Sequence, residues 1–205
     1  LRGGDTVVRH VHGRSGAGKS ALVSRFLAGL TGRAEAPVVL VGRCYEQESV
    51  PYKAIDSLVD ALTHHLLGVP HEVSKTLVPP QAAELTRVFP VLNRVEAFAR
   101  ASRRSRASTD PRETRAFAFA GLRELLRRLG ERAPLVLCID DVQWGDGDSA
   151  DLLAGLVAAP GAPRLLLLLS YRDEYATTSL CLQRLGGQPG TQLADALCPI
   201  PVAGS

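Results

Sequence analysis

The chain has 205 residues, 45% hydrophobic and 22% charged, which is the composition of a soluble globular domain with a sizeable core. Its 24 basic and 21 acidic residues leave a net charge of +3, too small to indicate a nucleic-acid partner or an acidic membrane surface. The four cysteines lack metal-ligand spacing, which predicts reduced thiols. No apolar run approaches the ~20 residues of a membrane span, and no signal peptide is present. We therefore expect no membrane contact and a cytoplasmic location.

The first predicted strand, residues 6–12, leads into an octapeptide of the pattern G-x-x-x-x-G-K-S, and a predicted helix, 19–29, follows it. Glycines let such a loop curl so that successive N–H groups face phosphate oxygens, and the helix N-terminus adds partial positive charge. The lysine of the pattern reaches the β- and γ-phosphates, and its serine hydroxyl ligates Mg²⁺. The sequence therefore predicts a phosphate-binding loop formed by Gly13-Arg14-Ser15-Gly16-Ala17-Gly18-Lys19-Ser20.

The second predicted strand, 37–43, is followed by a long helical stretch, with helices predicted at 52–67, 81–102 (interrupted at Pro90) and 111–129. The length of this stretch fits a helical insertion after the second strand. Asp110 is a good N-cap for the last of these helices, with Pro111 at the first helical position and Glu113 at the spacing of a capping box.

A basic, serine-rich stretch at 100–109 is predicted to be a loop between two of these helices. It contains no interleaved aromatic residue, so a solvated connector is favoured over a contact with nucleic acid or another domain.

The third predicted strand, 135–140, is continuously apolar and ends in two carboxylates, Asp140 and Asp141. In a phosphate-loop site, the strand next to the loop ends in an aspartate that holds Mg²⁺, often through water. Asp140 has that position, and Asp141 follows where additional-strand ATPases keep the acid that orients or deprotonates the attacking water. Gln143 is a candidate for a hydrogen bond to this water or to the γ-phosphate. Taken alone, the pair of acids also fits a strand capped by a solvated turn.

The next predicted helix, 149–158, precedes a fourth predicted strand, 164–171, which ends before Arg172. A cationic residue at this strand end points toward the γ-phosphate in many such ATPases, so Arg172 is a candidate sensor of the nucleotide state. From spacing alone, a salt bridge between Arg172 and Asp173 or Glu174 is an equal alternative.

Apolar runs separated by amphipathic stretches are typical of parallel strands covered by helices on both faces. A further strand candidate lies near 192–202. The sequence therefore predicts an α/β fold, a three-layer αβα sandwich around a parallel sheet.

Together these motifs resemble the AAA-type ATPase module of STAND regulators, the signal-transduction ATPases with numerous domains. The resemblance runs from about Val7 to Tyr175. Its most specific pieces are the octapeptide, VGRCYEQESVPY at 41–52, DDVQWGD at 140–146 and SYRD at 170–173. The piece at 41–52 is similar to the stretch after strand two in modules attached to bacterial Ser/Thr kinases, adenylate cyclases and LuxR-type regulators.

The resemblance implies ATP and Mg²⁺ as ligands and a P-loop NTPase sheet of the additional-strand (ASCE) type. It implies Lys19 and Ser20 on phosphate and Mg²⁺ and Asp140 on Mg²⁺. It also implies Asp141 at the attacking water and Arg172 as the sensor. Such modules carry an adenine-binding Gly-Arg segment before the loop, and a helical lid and winged helix after the sheet.

The chain begins after the first of these parts and stops before the others, so we expect residues 1–205 to be a single P-loop ATPase domain of a longer polypeptide. In the family the module lies between an output domain and helical repeats and switches on ATP binding and assembly. The expected partners are therefore other domains of the same polypeptide and a second copy of the chain, without direct nucleic-acid binding by this part.

The leading functional hypothesis is an ATP-binding switch with slow, Mg²⁺-dependent hydrolysis. A non-hydrolysing nucleotide-binding scaffold is the first alternative, because binding and hydrolysis use different parts of the site. A P-loop small-molecule kinase is the second; it would need an acceptor pocket and an arginine-rich lid.

Overall fold

The computed structural model describes residues 6–30, 36–46, 52–105 and 107–186. The strands are β1 (Val7–Gly13), β2 (Val38–Arg43), β3 (Leu135–Asp140) and β4 (Leu165–Arg172). The helices are α1 (Lys19–Ala28), α2 (Lys53–Leu67), α3 (His71–Leu77), α4 (Ala82–Val88), α5 (Glu96–Arg104), α6 (Pro111–Gly130), α7 (Gly147–Val157) and α8 (Leu180–Gly186). Short 3₁₀ turns lie at Pro90–Arg94, Val142–Trp144 and Asp173–Tyr175.

All four strands pair in parallel, in the order β1-β4-β3-β2. This arrangement confirms the predicted α/β fold with its additional strand, because β4 lies between the strand of the phosphate loop and the strand that bears the acids. The expectation that the acid-bearing strand directly adjoins the strand of the loop is therefore wrong. The strand candidate near 192–202 lies outside the described residues.

The inner strands β3 and β4 are continuously apolar until they approach their carboxyl ends, because both of their faces are covered. Leu135, Leu137 and Ile139 of β3 join a large core with α2, α6, α7 and α8. Val136 and Cys138, which point to the opposite face, join a smaller core with β1 and α1. Helices therefore cover both faces of the sheet, and the αβα layering is confirmed.

The predicted helical insertion is present, since α2 to α6 all lie between β2 and β3. The apolar stripe of α2 is at most 3% exposed at Ile55, Leu58, Val59, Leu62 and Leu66, so it forms core.

The helix predicted at 81–102 is divided into α4, a 3₁₀ turn and α5. Phe89 takes an extended conformation (φ −120°, ψ 79°) because the following Pro90 disfavours helical geometry at the residue before it. The helix α3 was not predicted.

The predicted start of α6 is confirmed in part. The Asp110 side chain accepts a hydrogen bond from the Arg112 N–H at 2.8 Å, as an N-cap should. Glu113 accepts instead from the Ser108 hydroxyl at 2.7 Å, and that hydroxyl accepts from the Asp110 N–H at 3.1 Å. The Ser108 hydroxyl therefore bridges the two groups that a capping box would join directly.

The prediction that residues 100–109 form a loop is wrong for their first half, because α5 continues to Arg104. Arg100 pairs with Glu96 one turn earlier, and Ala97 and Phe98 anchor the helix in the core. These contacts stabilise helix where composition alone indicated a connector.

The helix α7 begins at Gly147, two residues before the predicted start. Asp146 caps it by accepting a hydrogen bond from the Ser149 N–H at 2.6 Å. Among the helices that the structure describes, none is long and apolar enough to cross a membrane.

Candidate nucleotide site

The octapeptide forms an open loop between the end of β1 and the start of α1. Gly16 and Gly18 have φ values of 79° and 81°, in the left-handed region that favours glycine. A Cβ at either position would meet no atom within 4 Å, so backbone conformation and not packing requires glycine there. The first intrahelical hydrogen bond of α1 runs from the Leu22 N–H to the Gly18 oxygen at 2.9 Å. The N–H groups of the first turn therefore remain for an anion.

Lys19 is the only buried residue of this loop, with 8% of its surface exposed. Its Nζ donates to the carbonyl oxygens of Gly13 at 2.8 Å and Arg14 at 2.9 Å. The ammonium group thus lies over the loop itself. Phosphate oxygens are stronger acceptors than neutral carbonyls, so a bound phosphate would compete for this group successfully.

Two side chains whose oxygens could ligate a metal, Ser20 and Asp140, come from distant parts of the chain and meet beside the loop. Ser20 Oγ donates to Asp140 Oδ2 at 3.2 Å, and Ser170 of β4 contacts the other oxygen of Asp140. A hydroxyl and a carboxylate suit Mg²⁺, which usually takes one or two carboxylates and completes its octahedron with phosphate and water. Among the described residues there is no group of three or more His, Cys, Asp or Glu that could hold a metal by itself. The donor set therefore fits a Mg²⁺ ion that arrives with phosphate.

Asp141 lies at a sharp turn after β3, with φ 56° and ψ 40°. Arg43 donates to Asp141 Oδ2 at 2.9 Å, Gln143 Nε2 donates to Oδ1 at 2.9 Å, and Arg172 Nε lies 3.5 Å from Oδ1. Burial raises the pKa of Asp141, but the hydrogen bonds from Gln143 and Arg43 and the charges of Arg172 and Arg43 outweigh it. Its pKa is therefore below the ordinary aspartate value, and the carboxylate is ionised at neutral pH.

Gln143 does not take the predicted position toward water or phosphate. The residue is 4% exposed and bridges two strand ends. Its Nε2 donates to Asp141, and its Oε1 accepts from the Arg172 N–H at 3.3 Å. Gln143 thus fixes the orientation of Asp141 relative to β4.

Arg172 ends β4 and pairs in register with Gly13, the first residue of the loop. The alternative salt bridge to its sequence neighbours is not formed. Asp173 instead pairs with His12 Nδ1 at 2.8 Å, and Glu174 Oε1 accepts from the Ser15 N–H at 3.2 Å. Arg172 points its guanidinium toward Asp141 and is one-third exposed, which leaves it accessible at the edge of the site.

A family model for the AAA ATPase domain matches residues 1–169. The chain belongs to the AAA ATPase domain family. This membership supports nucleotide binding, with ATP as the expected ligand and Mg²⁺ as its usual companion. No curated protein sequence matches the chain at a significant level.

This AAA ATPase domain brings every predicted site residue to one edge of its sheet. The loop, Ser20, Asp140, Asp141 and Arg172 all lie at the carboxyl ends of the strands or just beyond them. The family match ends at residue 169, within β4, so the roles of Ser170, Arg172 and the residues after them depend on geometry alone.

Sequence reasoning missed three side chains of this AAA ATPase domain: Arg43, Ser170 and Glu174. Each reaches the site only because the pairing of the strands, or a turn after a strand, brings it there. Ser170 carried a signal, because it is the first polar residue after the run of leucines in β4. Arg43 ends β2 opposite Asp140, a pairing that only the sheet order reveals.

Proposed function

We propose that this AAA ATPase domain is an ATP-binding, slowly hydrolysing regulatory switch of a multidomain signalling protein of the STAND type. The observation that carries the proposal is the contact between Ser20 Oγ and Asp140 Oδ2. It joins the phosphate loop to the acids of β3, so a metal and its triphosphate would lie next to Asp141.

Each residue has a separable task in this proposal. Lys19 and the loop N–H groups bind and orient the β- and γ-phosphates. Mg²⁺, held by Ser20 and Asp140, supplies charge neutralisation at the phosphates when bound. Asp141 orients the attacking water and accepts its proton at a carboxylate oxygen.

Slow turnover follows from the environment of Asp141. Both of its oxygens accept hydrogen bonds, from Arg43 and from Gln143, and its pKa is lowered. A carboxylate held in this way is a weaker base than an unengaged aspartate. This arrangement suits a switch that stays in one nucleotide state for long periods.

The non-hydrolysing scaffold is supported by the same pairing of Arg43 and Asp141, since a permanently engaged carboxylate would bind no water. The kinase alternative lacks comparable support. A cavity of about 550 Å³ lies between α6 and α7, but its lining, which includes Phe119, Arg123 and Leu152, contains no residue of the phosphate loop.

The proposal extends to the context of the domain. As in the modules that it resembles, it would lie between an output domain and helical repeats in a cytoplasmic protein. ATP binding would promote association with a second copy. We propose no membrane contact and no direct nucleic-acid binding for this part of the polypeptide.

Phosphate release from ATP without an added acceptor tests the proposal. We expect slow release that requires Mg²⁺ and is lost in Asp141→Asn, while that variant retains its affinity for ATP. Asp148→Asn is the matched control, because Asp148 pairs with Arg115 outside the loop. Binding without any release would favour the scaffold, and release only in the presence of an acceptor would favour the kinase.

A further inference from the structure

A carboxylate occupies one N–H group of the phosphate loop. Glu174, in the 3₁₀ turn after β4, places Oε1 3.2 Å from the Ser15 nitrogen. Backbone N–H groups of this loop are the groups that bind phosphate oxygens. Glu174 therefore stands where an anionic ligand would make one of its contacts.

The turn that carries Glu174 is anchored beside the loop. Asp173 pairs with His12 at 2.8 Å, and the His12 ring stacks on Tyr171 with centroids 5.3 Å apart. Glu174 itself is exposed. Hydrogen bonds from its own backbone and from Ser15, together with the charge of Lys19, lower its pKa, so the carboxylate is negative at neutral pH.

The position of Ser15 indicates which phosphate would meet this carboxylate. Ser15 lies in the first half of the loop, near Gly13, which pairs with Arg172 at the end of β4. The start of α1, at the other end of the loop, provides the N–H groups for the inner phosphates. The outermost phosphate would therefore extend toward β4 and Glu174.

We propose that Glu174 is a specificity-determining residue that makes the site discriminate between nucleoside triphosphate and diphosphate. The terminal phosphate of a triphosphate and the Glu174 carboxylate compete for the Ser15 N–H and repel each other. A diphosphate, which ends deeper in the loop, leaves Glu174 in place. This inference rests on the proposed nucleotide site.

The test measures dissociation constants of ATP and ADP, with Mg²⁺, for the whole chain and for Glu174→Gln. Removing one charge about 4 Å from a phosphate in a water-exposed setting should raise the affinity for ATP about fivefold. The affinity for ADP should change less than twofold. Glu72→Gln is the matched control, since it makes the same substitution at an exposed position of α3, where the carboxylate pairs with Lys75 and not with the loop.

A second readout follows the turn itself. The ring of Tyr175, the neighbour of Glu174, lies 4.6 Å from that of Trp144, the only tryptophan of the chain. We expect ATP to change the Trp144 fluorescence of the wild-type chain more than ADP does. The difference between the two nucleotides should shrink in Glu174→Gln.

Equal changes in the affinities for ATP and ADP, or no change in either, would overturn the role of Glu174. In that case the nucleotide site itself would stand, provided that the wild-type chain binds and Lys19→Ala does not. A folded wild-type chain that binds neither nucleotide would overturn the proposed function and this inference with it. Since Glu174 is exposed, its substitution should not affect folding, which a thermal unfolding curve checks.

Discussion

At the scale of single residues, the phosphate loop depends on backbone conformations that only some residues adopt. Gly18 has φ 81°, and a Cβ there would meet no atom within 4 Å, so the conformation alone restricts the position. Gly155 in α7 has equally open surroundings without a positive φ. Because both positions have room for a Cβ and only Gly18 has a positive φ, substitutions at the two glycines differ in backbone strain and not in packing.

Gly18→Ala should lower the free energy of unfolding by about 1 kcal/mol, because alanine is strained in the left-handed region. Gly155→Ala should instead leave stability unchanged or raise it by up to ~1 kcal/mol, since alanine favours helix. Urea unfolding of both variants measures the difference. Equal effects of the two substitutions would contradict the conformational argument.

Asp141 allows a prediction about pH. Arg43→Ala removes a hydrogen bond and a positive charge that lower the pKa of Asp141, so that pKa should rise toward its ordinary value. The loss of phosphate-release activity on acidification should then begin at higher pH in the variant than in the wild type. Arg100→Ala, in α5, is the control. If activity falls over the same acidic pH range in Arg43→Ala and in the wild type, Asp141 is not the group whose protonation stops the reaction.

Residue types in fixed motifs were predictable from the sequence, whereas contacts made through register were not. Lys19, Ser20 and Asp140 lie where their motifs place them, because each motif fixes a strand end or a helix start. Arg43 lies in the piece at 41–52, which assigns it no role, and Glu174 lies in none of the motifs. Their contacts with Asp141 and Ser15 arise from the order of the strands.

At the scale of elements, α6 connects the helical insertion to the sheet and is tied to α3 through arginine. Glu124 bonds both Arg127 and Arg128, and Arg128 also donates to the Val78 oxygen after α3 at 2.7 Å. The hydrogen bond from Arg127 is the largest influence on Glu124, whose pKa is lowered to about 2. The helix α3 has only seven residues, which is too short for a helical pattern of apolar residues to be recognised in the sequence.

Glu124→Gln should lower the free energy of unfolding at pH 7 by about 1 kcal/mol, because the ion pairs are partly screened by solvent. The pKa of Glu124 is lower in the folded than in the unfolded chain. The difference in the free energy of unfolding between wild type and variant should therefore have its full value above about pH 5. It should vanish as pH falls toward 2. Glu72→Gln, at an exposed position of α3, is the control and should change stability little. A difference independent of pH would contradict the electrostatic account.

At the scale of the whole molecule, the site exists only when all four strands are in register. Arg43 comes from β2, the two acids from the end of β3, Ser170 from β4 and the loop from β1. The general layout was predictable because buried parallel strands appear as continuous apolar runs. The adjacency of β1 and β4 was not predictable from those runs, since they carry no information about neighbours.

Because nucleotide and metal would bind only this native arrangement, they should stabilise it together. Mg²⁺-ATP at 100 times its dissociation constant should add about 2.7 kcal/mol to the free energy of unfolding. Removing Mg²⁺ with EDTA should abolish most of that gain in the wild type. In Asp140→Asn, EDTA should make little further difference. Thermal unfolding with and without chelator measures both effects.

Titration of Mg²⁺-ATP into the chain and into Lys19→Ala tests the central claim most directly, with Lys75→Ala as a control for lysine removal outside the site. We expect saturable binding by the wild type and Lys75→Ala. Lys19→Ala should weaken it at least ~30-fold, since a charge-assisted contact from this buried ammonium group to phosphate is worth ~2 kcal/mol or more. Unchanged affinity in a folded Lys19→Ala chain would contradict the assignment of the phosphate loop.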